Sequence, residues 1–128
     1  MELQRDIATG PQAPAQARRF VLDSLADHIP ASVLDDARVV TSELVTNSVK
    51  HAGNPPGHPI EVTLVLGPDR LRLSVVDGSV FDPHPESSRE LREVKWGLTI
   101  VEGVADAWGR IDPPEGGIWA EFRLRPSQ

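Results

Sequence analysis

Glu43 and Asn47 stand four residues apart in the stretch Thr41-Ser42-Glu43-Leu44-Val45-Thr46-Asn47-Ser48. On a helix that spacing puts both on one face, where a carboxylate and a carboxamide present oxygen ligands suited to Mg²⁺ held beside substrate phosphates. An ordinary solvated Glu/Asn pair has the same spacing, so the pair alone decides nothing. Asp77 is a second candidate. Alternation along Leu71, Leu73 and Val75 carries its carboxylate to the buried face just where the run stops. A buried carboxylate needs hydrogen-bond partners, and a ligand amino group is one way to supply them. The other way is an Asp-Gly turn with the side chain folded onto local amides. Gly78 permits either a tight turn or close approach of a flat ring. The third candidate is Lys95-Trp96-Gly97-Leu98-Thr99, which opens a helical pattern whose free N–H groups suit a phosphate. Arg89, Arg92 and Lys95 add local cations, although a loop of mixed charge is commonly just solvated.

These residues need particular elements to position them. Residues 2–7 can form an edge strand, and Gly10-Pro11-Gln12-Ala13-Pro14 breaks the pattern before a helix over about 15–28 with Ala17, Phe20, Val21 and Leu25 on one side. Ser32 is the expected N-cap of a second helix over about 33–52. Its residues Val33, Ala37, Leu44, Val45, Ser48 and Ala52 project onto one arc, with Glu43 and Asn47 at the margin. Ile60, Val62, Leu64 and then Leu71, Leu73, Val75 alternate on either side of Gly67-Pro68-Asp69-Arg70, the pattern of an antiparallel hairpin. Residues 81–95 have the composition of a loop. Leu98, Val101, Val104, Ala105 and Trp108 predict a third helix closed by Gly109, and Ile111 with Ile118, Ala120, Phe122 and Leu124 predicts a final hairpin. The order indicates an α+β fold, a two-layer α/β sandwich with helices on one face of a mostly antiparallel mixed sheet, as a single domain over 1–128.

Composition narrows the functions available. Across 128 residues the net charge is -6, which argues against a broad basic footprint for nucleic acid or an anionic membrane. Without cysteine there is no disulfide or thiolate metal site, and the four histidines lack paired spacing for zinc. No apolar run approaches a membrane span, and the first residues lack the regions of a signal peptide, so the expected location is cytoplasmic.

Taken in order, Glu43-Leu44-Val45-Thr46-Asn47-Ser48-Val49-Lys50-His51-Ala52-Gly53, Asp77-Gly78-Ser79 and Trp96-Gly97-Leu98-Thr99-Ile100-Val101-Glu102 resemble the N, G1 and G2 boxes of the histidine-kinase-like (GHKL) ATPases, which have the Bergerat ATP-binding fold. The chain is most similar to the small anti-sigma-factor serine kinases and their actinobacterial relatives, with Ala17-Arg18-Arg19-Phe20 and Trp119-Ala120-Glu121-Phe122 as further shared stretches. The resemblance implies ATP and Mg²⁺ as cofactors. By it, Glu43 is the general base and Asn47 the Mg²⁺ ligand. It puts Asn47, His51, Asp77, Ser79, Lys95, Gly97, Leu98 and Thr99 around the nucleotide, with Asp77 accepting a hydrogen bond from the adenine amino group and residues about 82–96 forming a lid. It also implies two partners, a sigma factor and an anti-anti-sigma (STAS-type) protein, and a homodimer, with no direct nucleic-acid or membrane contact.

The chain departs from the family pattern at four positions. Ser79 and Phe81 stand two and four residues after Asp77, where glycines are usual; Lys95 replaces another glycine, and Gly117 a threonine before the last strand. Two functions therefore remain open: a serine/threonine protein kinase that also sequesters a sigma factor, supported by Glu43, and a binding module with a weakened nucleotide pocket that regulates without phosphoryl transfer. A free-standing histidine-kinase output domain fits less well, because no phosphoacceptor helix precedes the ATPase-like region.

Overall fold

The two alternating runs around Gly67 form the centre of a sheet, because each has one apolar face to bury and a short turn to join it to the other. In the computed structural model, which describes residues 1–51, 58–78 and 98–124, β2 (Ile60–Leu66) and β3 (Arg70–Val76) pair antiparallel with Val62 opposite Val75 and Leu64 opposite Leu73. The turn is closed by the Gly67 N–H donating to the Arg70 carbonyl at 3.0 Å. The edge strand β1 (Glu2–Ile7) adds to β2, and β5 (Gly117–Arg123) adds to β3 with β4 (Ala107–Ile111) beyond it. The sheet order is β1-β2-β3-β5-β4, and every pair among the described residues is antiparallel, so the sheet is less mixed than the sequence suggests.

Helices α1 (Ala13–Leu25) and α2 (Ala31–His51) cover one face, with the described part of a third, α3, at residues 98–104. Phe20, Val21 and Leu25 of α1 and Ala37, Val40, Leu44 and Val45 of α2 meet Ile60, Val62, Leu64, Leu71, Leu73, Val75, Ala120 and Phe122 from the strands. Burying a set of this size is the dominant favourable term for the fold, at roughly 1.5–3 kcal/mol for each large side chain. The opposite face is polar and open, since alternation sends Thr63, Arg72, Ser74 and Glu121 outward; Glu121 bridges Arg70 and Arg72 at 3.2 and 3.3 Å, and the Arg72 guanidinium lies 4.4 Å from the Trp119 ring centroid. No helix among the described residues is long and apolar enough to cross a membrane.

Three boundaries differ from the sequence expectation. α1 ends at Leu25, with residues 26–28 continuing as turns, and α2 already includes Ala31, so Ser32 lies inside its first turn rather than capping it. The third helix stops at residue 104, and Trp108 and Gly109 belong to strand β4. The cause is Asp106, whose Oδ2 accepts the Arg123 backbone N–H at 2.6 Å while its own N–H donates to the Glu121 carbonyl. Those two bonds start strand pairing where the helical spacing alone would have continued. Gly109 then sits opposite Trp119, and a Cβ there would lie 2.8 Å from the indole ring. It is the floor under a tryptophan, not a helix terminus.

Candidate functional site

The carboxyl-terminal half of α2 and the end of β3 supply the best-defined polar groups that face each other across the two layers. Val40, Leu44 and Val45 are fully or almost fully buried and fix the rotation of α2 about its axis. With that face turned to the sheet, Glu43 and Asn47 are half-buried at its margin, as the helical projection requires. Ser48 is turned inward and is 5% exposed.

Asp77 follows Val76 directly and is 6% exposed, so the alternation along β3 does carry its carboxylate inward. Its Oδ2 accepts a hydrogen bond of 2.5 Å from the Ser48 hydroxyl. The backbone here is tied to the turn between β4 and β5: the Asp77 N–H donates to the Gly116 carbonyl at 3.0 Å and the Gly78 N–H to the Glu115 carbonyl at 2.9 Å. Gly78 has φ 76, in the left-handed region that favours glycine. Gly117 is required by space: a Cβ would stand 2.0 Å from the Val75 carbonyl oxygen and 2.9 Å from Val76 Cα, so the backbone of β5 approaches β3 too closely for any side chain.

Glu43 also borders an open cleft of about 360 Å³ between α1 and α2, lined with Arg18, Asp35, Arg38, Val39 and Ser42. Arg18 Nη1 donates to Ser42 Oγ at 2.7 Å, and Arg38 Nε is enclosed with no hydrogen-bond partner among the described residues. Asp77 is not among the residues that line this cleft. Glu43 thus borders a cleft of mixed charge, with two arginines and the carboxyl group of Asp35 beside it, from the helix face that it shares with Asn47.

The structure joins Asp77 to Ser48, the residue that follows Asn47 in the chain, with Glu43 about one turn before Asn47 on the same helix. Leu98 is half-buried and Thr99 exposed at the start of the described part of α3, whose Val101 reaches the core. His51 ends α2, and nothing is described of its side chain; Ser79, Lys95, Gly97 and the expected lid over 82–96 lie outside the described residues. Sequence reasoning placed Ser48 on the buried arc without a role. The usable signal was that a hydroxyl among apolar neighbours needs an acceptor, and Asp77 was the one buried anion already expected.

The donor set fits a purine nucleotide. A buried carboxylate at a strand end can accept from an amino group, and half-buried oxygens one turn apart on α2 can meet a hydrated cation beside phosphates. A two-layer antiparallel α/β sandwich with such a strand-end carboxylate opposite an oxygen-bearing helix is consistent with the Bergerat class of nucleotide-binding domains. The sequence model of the histidine kinase-like ATPase domain family matches residues 7–120, nearly the whole chain, and the protein belongs to that family of ATP-binding domains. Among curated proteins, none gives a significant match.

Proposed function

We propose that this ATP-binding domain is a serine/threonine protein kinase that phosphorylates an anti-anti-sigma partner and sequesters a sigma factor. The observation that carries the reading is Glu43, retained one turn before Asn47, half-buried and bordering an open cleft through which a partner's hydroxyl can approach. Asp77 accepts from the adenine amino group, and Asn47 offers its carboxamide oxygen to Mg²⁺. When bound there, Mg²⁺ offsets charge developing on the phosphoryl oxygens. Glu43 takes the proton from the acceptor hydroxyl as its oxygen bonds to the γ-phosphorus and the bond to the bridging oxygen breaks, releasing ADP. Arg18 and Arg38 line that cleft together with Asp35, so a partner that enters it meets charges of both signs. Association of two copies through the open sheet face or the α1 side belongs to the same reading.

A second reading, regulation by contact without transfer, is favoured by Gly117, where the close approach of β3 leaves no room for the threonine the family pattern leads one to expect. Titration of ATP with and without Mg²⁺, followed by single-turnover transfer from radiolabelled ATP to a co-purified partner, separates the two. Binding with transfer supports the kinase; binding without transfer to any co-purified partner supports the contact regulator.

A further inference from the structure

Ser48 and Asp77 form a buried side-chain hydrogen bond between the helical layer and the sheet. A serine has one hydroxyl proton, and two acceptors lie within reach, the Leu44 carbonyl at 3.1 Å and Asp77 Oδ2 at 2.5 Å. The carboxylate takes it, because bonds to an ionised acceptor are shorter and roughly twice as strong as neutral ones. The Leu44 carbonyl already receives the backbone N–H of residue 48 in the helix ladder. Thr46, two residues earlier, shows the ordinary alternative, donating to the Ser42 carbonyl at 2.7 Å.

The hydroxyl is not there for packing. Alanine would fill the same apolar arc with better helix propensity and without burying a polar group. What the hydroxyl supplies is a short, directed hydrogen bond to one oxygen of a carboxylate, a group whose terminal torsion has no sharp intrinsic preference. Gly117, on the other side of the same strand end, has neither a hydroxyl nor space for one.

We infer that Ser48 is a positioning residue for base selection: its hydroxyl fixes the Asp77 carboxylate in the orientation that receives the exocyclic amino group of adenine. The inference rests on the reading of Asp77 as the adenine acceptor given above. Because Ser48 follows Asn47 on the same helix, its bond also sets the register between the base end and the phosphate end of the nucleotide.

The test is a set of calorimetric titrations at saturating Mg²⁺ with ATP and with purine riboside triphosphate, which lacks the 6-amino group. The proteins are the wild type, Ser48→Ala, Ser48→Cys, Asp77→Asn and the Ser48→Ala/Asp77→Asn pair, each checked by thermal melting. The wild type should prefer ATP by about tenfold or more, and Ser48→Ala should weaken ATP binding roughly 5–20-fold while changing the analogue by less than about twofold. Ser48→Cys, close in shape but a weak donor, should follow Ser48→Ala even if that variant folds poorly. Adding Ser48→Ala to Asp77→Asn should change nothing further. A Ser48→Ala or Ser48→Cys protein that keeps the full preference for ATP, or that loses both ligands equally, overturns the positioning role. A wild type that binds both ligands equally, or neither, overturns the reading of Asp77 itself.

Discussion

Replacing Glu43 by alanine separates binding from transfer if the proposed kinase reading holds, because in that reading the carboxylate acts on an incoming hydroxyl and not on the nucleotide. Glu43 is half-buried at the margin of α2, and among the described residues its side chain makes no hydrogen bond or ion pair. Alanine is the better helix former, so the change in stability should stay within about 0.5 kcal/mol, a shift of no more than about 3 °C in melting temperature. Loss of a general base should slow phosphoryl transfer by about 10²–10⁴-fold, equivalent to roughly 2.7–5.4 kcal/mol of transition-state stabilisation. ATP affinity should change by less than about threefold, since Asp77 and Asn47 are untouched. The assay is single-turnover transfer to the partner at saturating Mg-ATP, beside a binding titration and a melt of the same preparation. An unchanged transfer rate removes Glu43 as the base; a matching fall in ATP affinity would show it to be a nucleotide ligand instead.

The other substitutions test the remaining parts of the site and fold. Asn47→Ala should weaken ATP binding in the presence of Mg²⁺ and leave Mg²⁺-free binding nearly unchanged, measured by titration with and without chelator; equal losses in both would remove Asn47 as the cation ligand. Asp77→Asn should weaken ATP by roughly 5- to 150-fold, or about 1–3 kcal/mol, in calorimetry, because a buried donor on the ligand loses a charged acceptor. Gly117→Ala puts a methyl group 2.0 Å from the Val75 carbonyl oxygen, and because that obstacle is backbone the cost should reach about 3 kcal/mol, with a fall in melting temperature on the order of 10 °C. A Gly117→Ala protein melting within about 2 °C of wild type would mean that β5 does not pack against β3 at this distance. Light scattering across micromolar concentrations should give twice the 14.0 kDa chain mass, and a constant monomer mass would remove the dimer.

The sequence disclosed most where one periodicity had no rival. β2 and β3 alternate strictly around a Gly-Pro-Asp turn, and the structure pairs them in the register that alternation requires, with Leu64 opposite Leu73. α2 was equally legible: its buried arc set Glu43 and Asn47 at the margin, and the same strand logic set Asp77 inside. Reading failed where local spacing was ambiguous and a distant contact decided. Val101, Val104, Ala105 and Trp108 fit a helix, but Asp106 receives the N–H of Arg123, 17 residues away, and pulls the chain into β4. The pairing of Arg18 with Ser42 across 24 residues has no periodic trace, so the cleft beside Glu43 is not legible in the sequence.

The two ends of the site are held by one rigid object, and this has a physical consequence for how the site tolerates change. Glu43 and Ser48 are five residues apart on α2, about 7.5 Å along the helix axis. One faces the cleft while the other is bonded to Asp77, just past the end of β3. Rotation and translation of α2 are set by Val40, Leu44 and Val45, all nearly or wholly inaccessible and packed on the sheet. A closely packed interior of that kind repacks between discrete arrangements and does not deform continuously. Any shift of α2 that kept its apolar face inward would have to move by about a full turn, roughly 5.4 Å, and would separate Ser48 from Asp77 outright. Core substitutions under α2 should therefore leave adenine selection intact until they unfold the protein, while the single hydroxyl of Ser48 can alter selection with the fold unchanged.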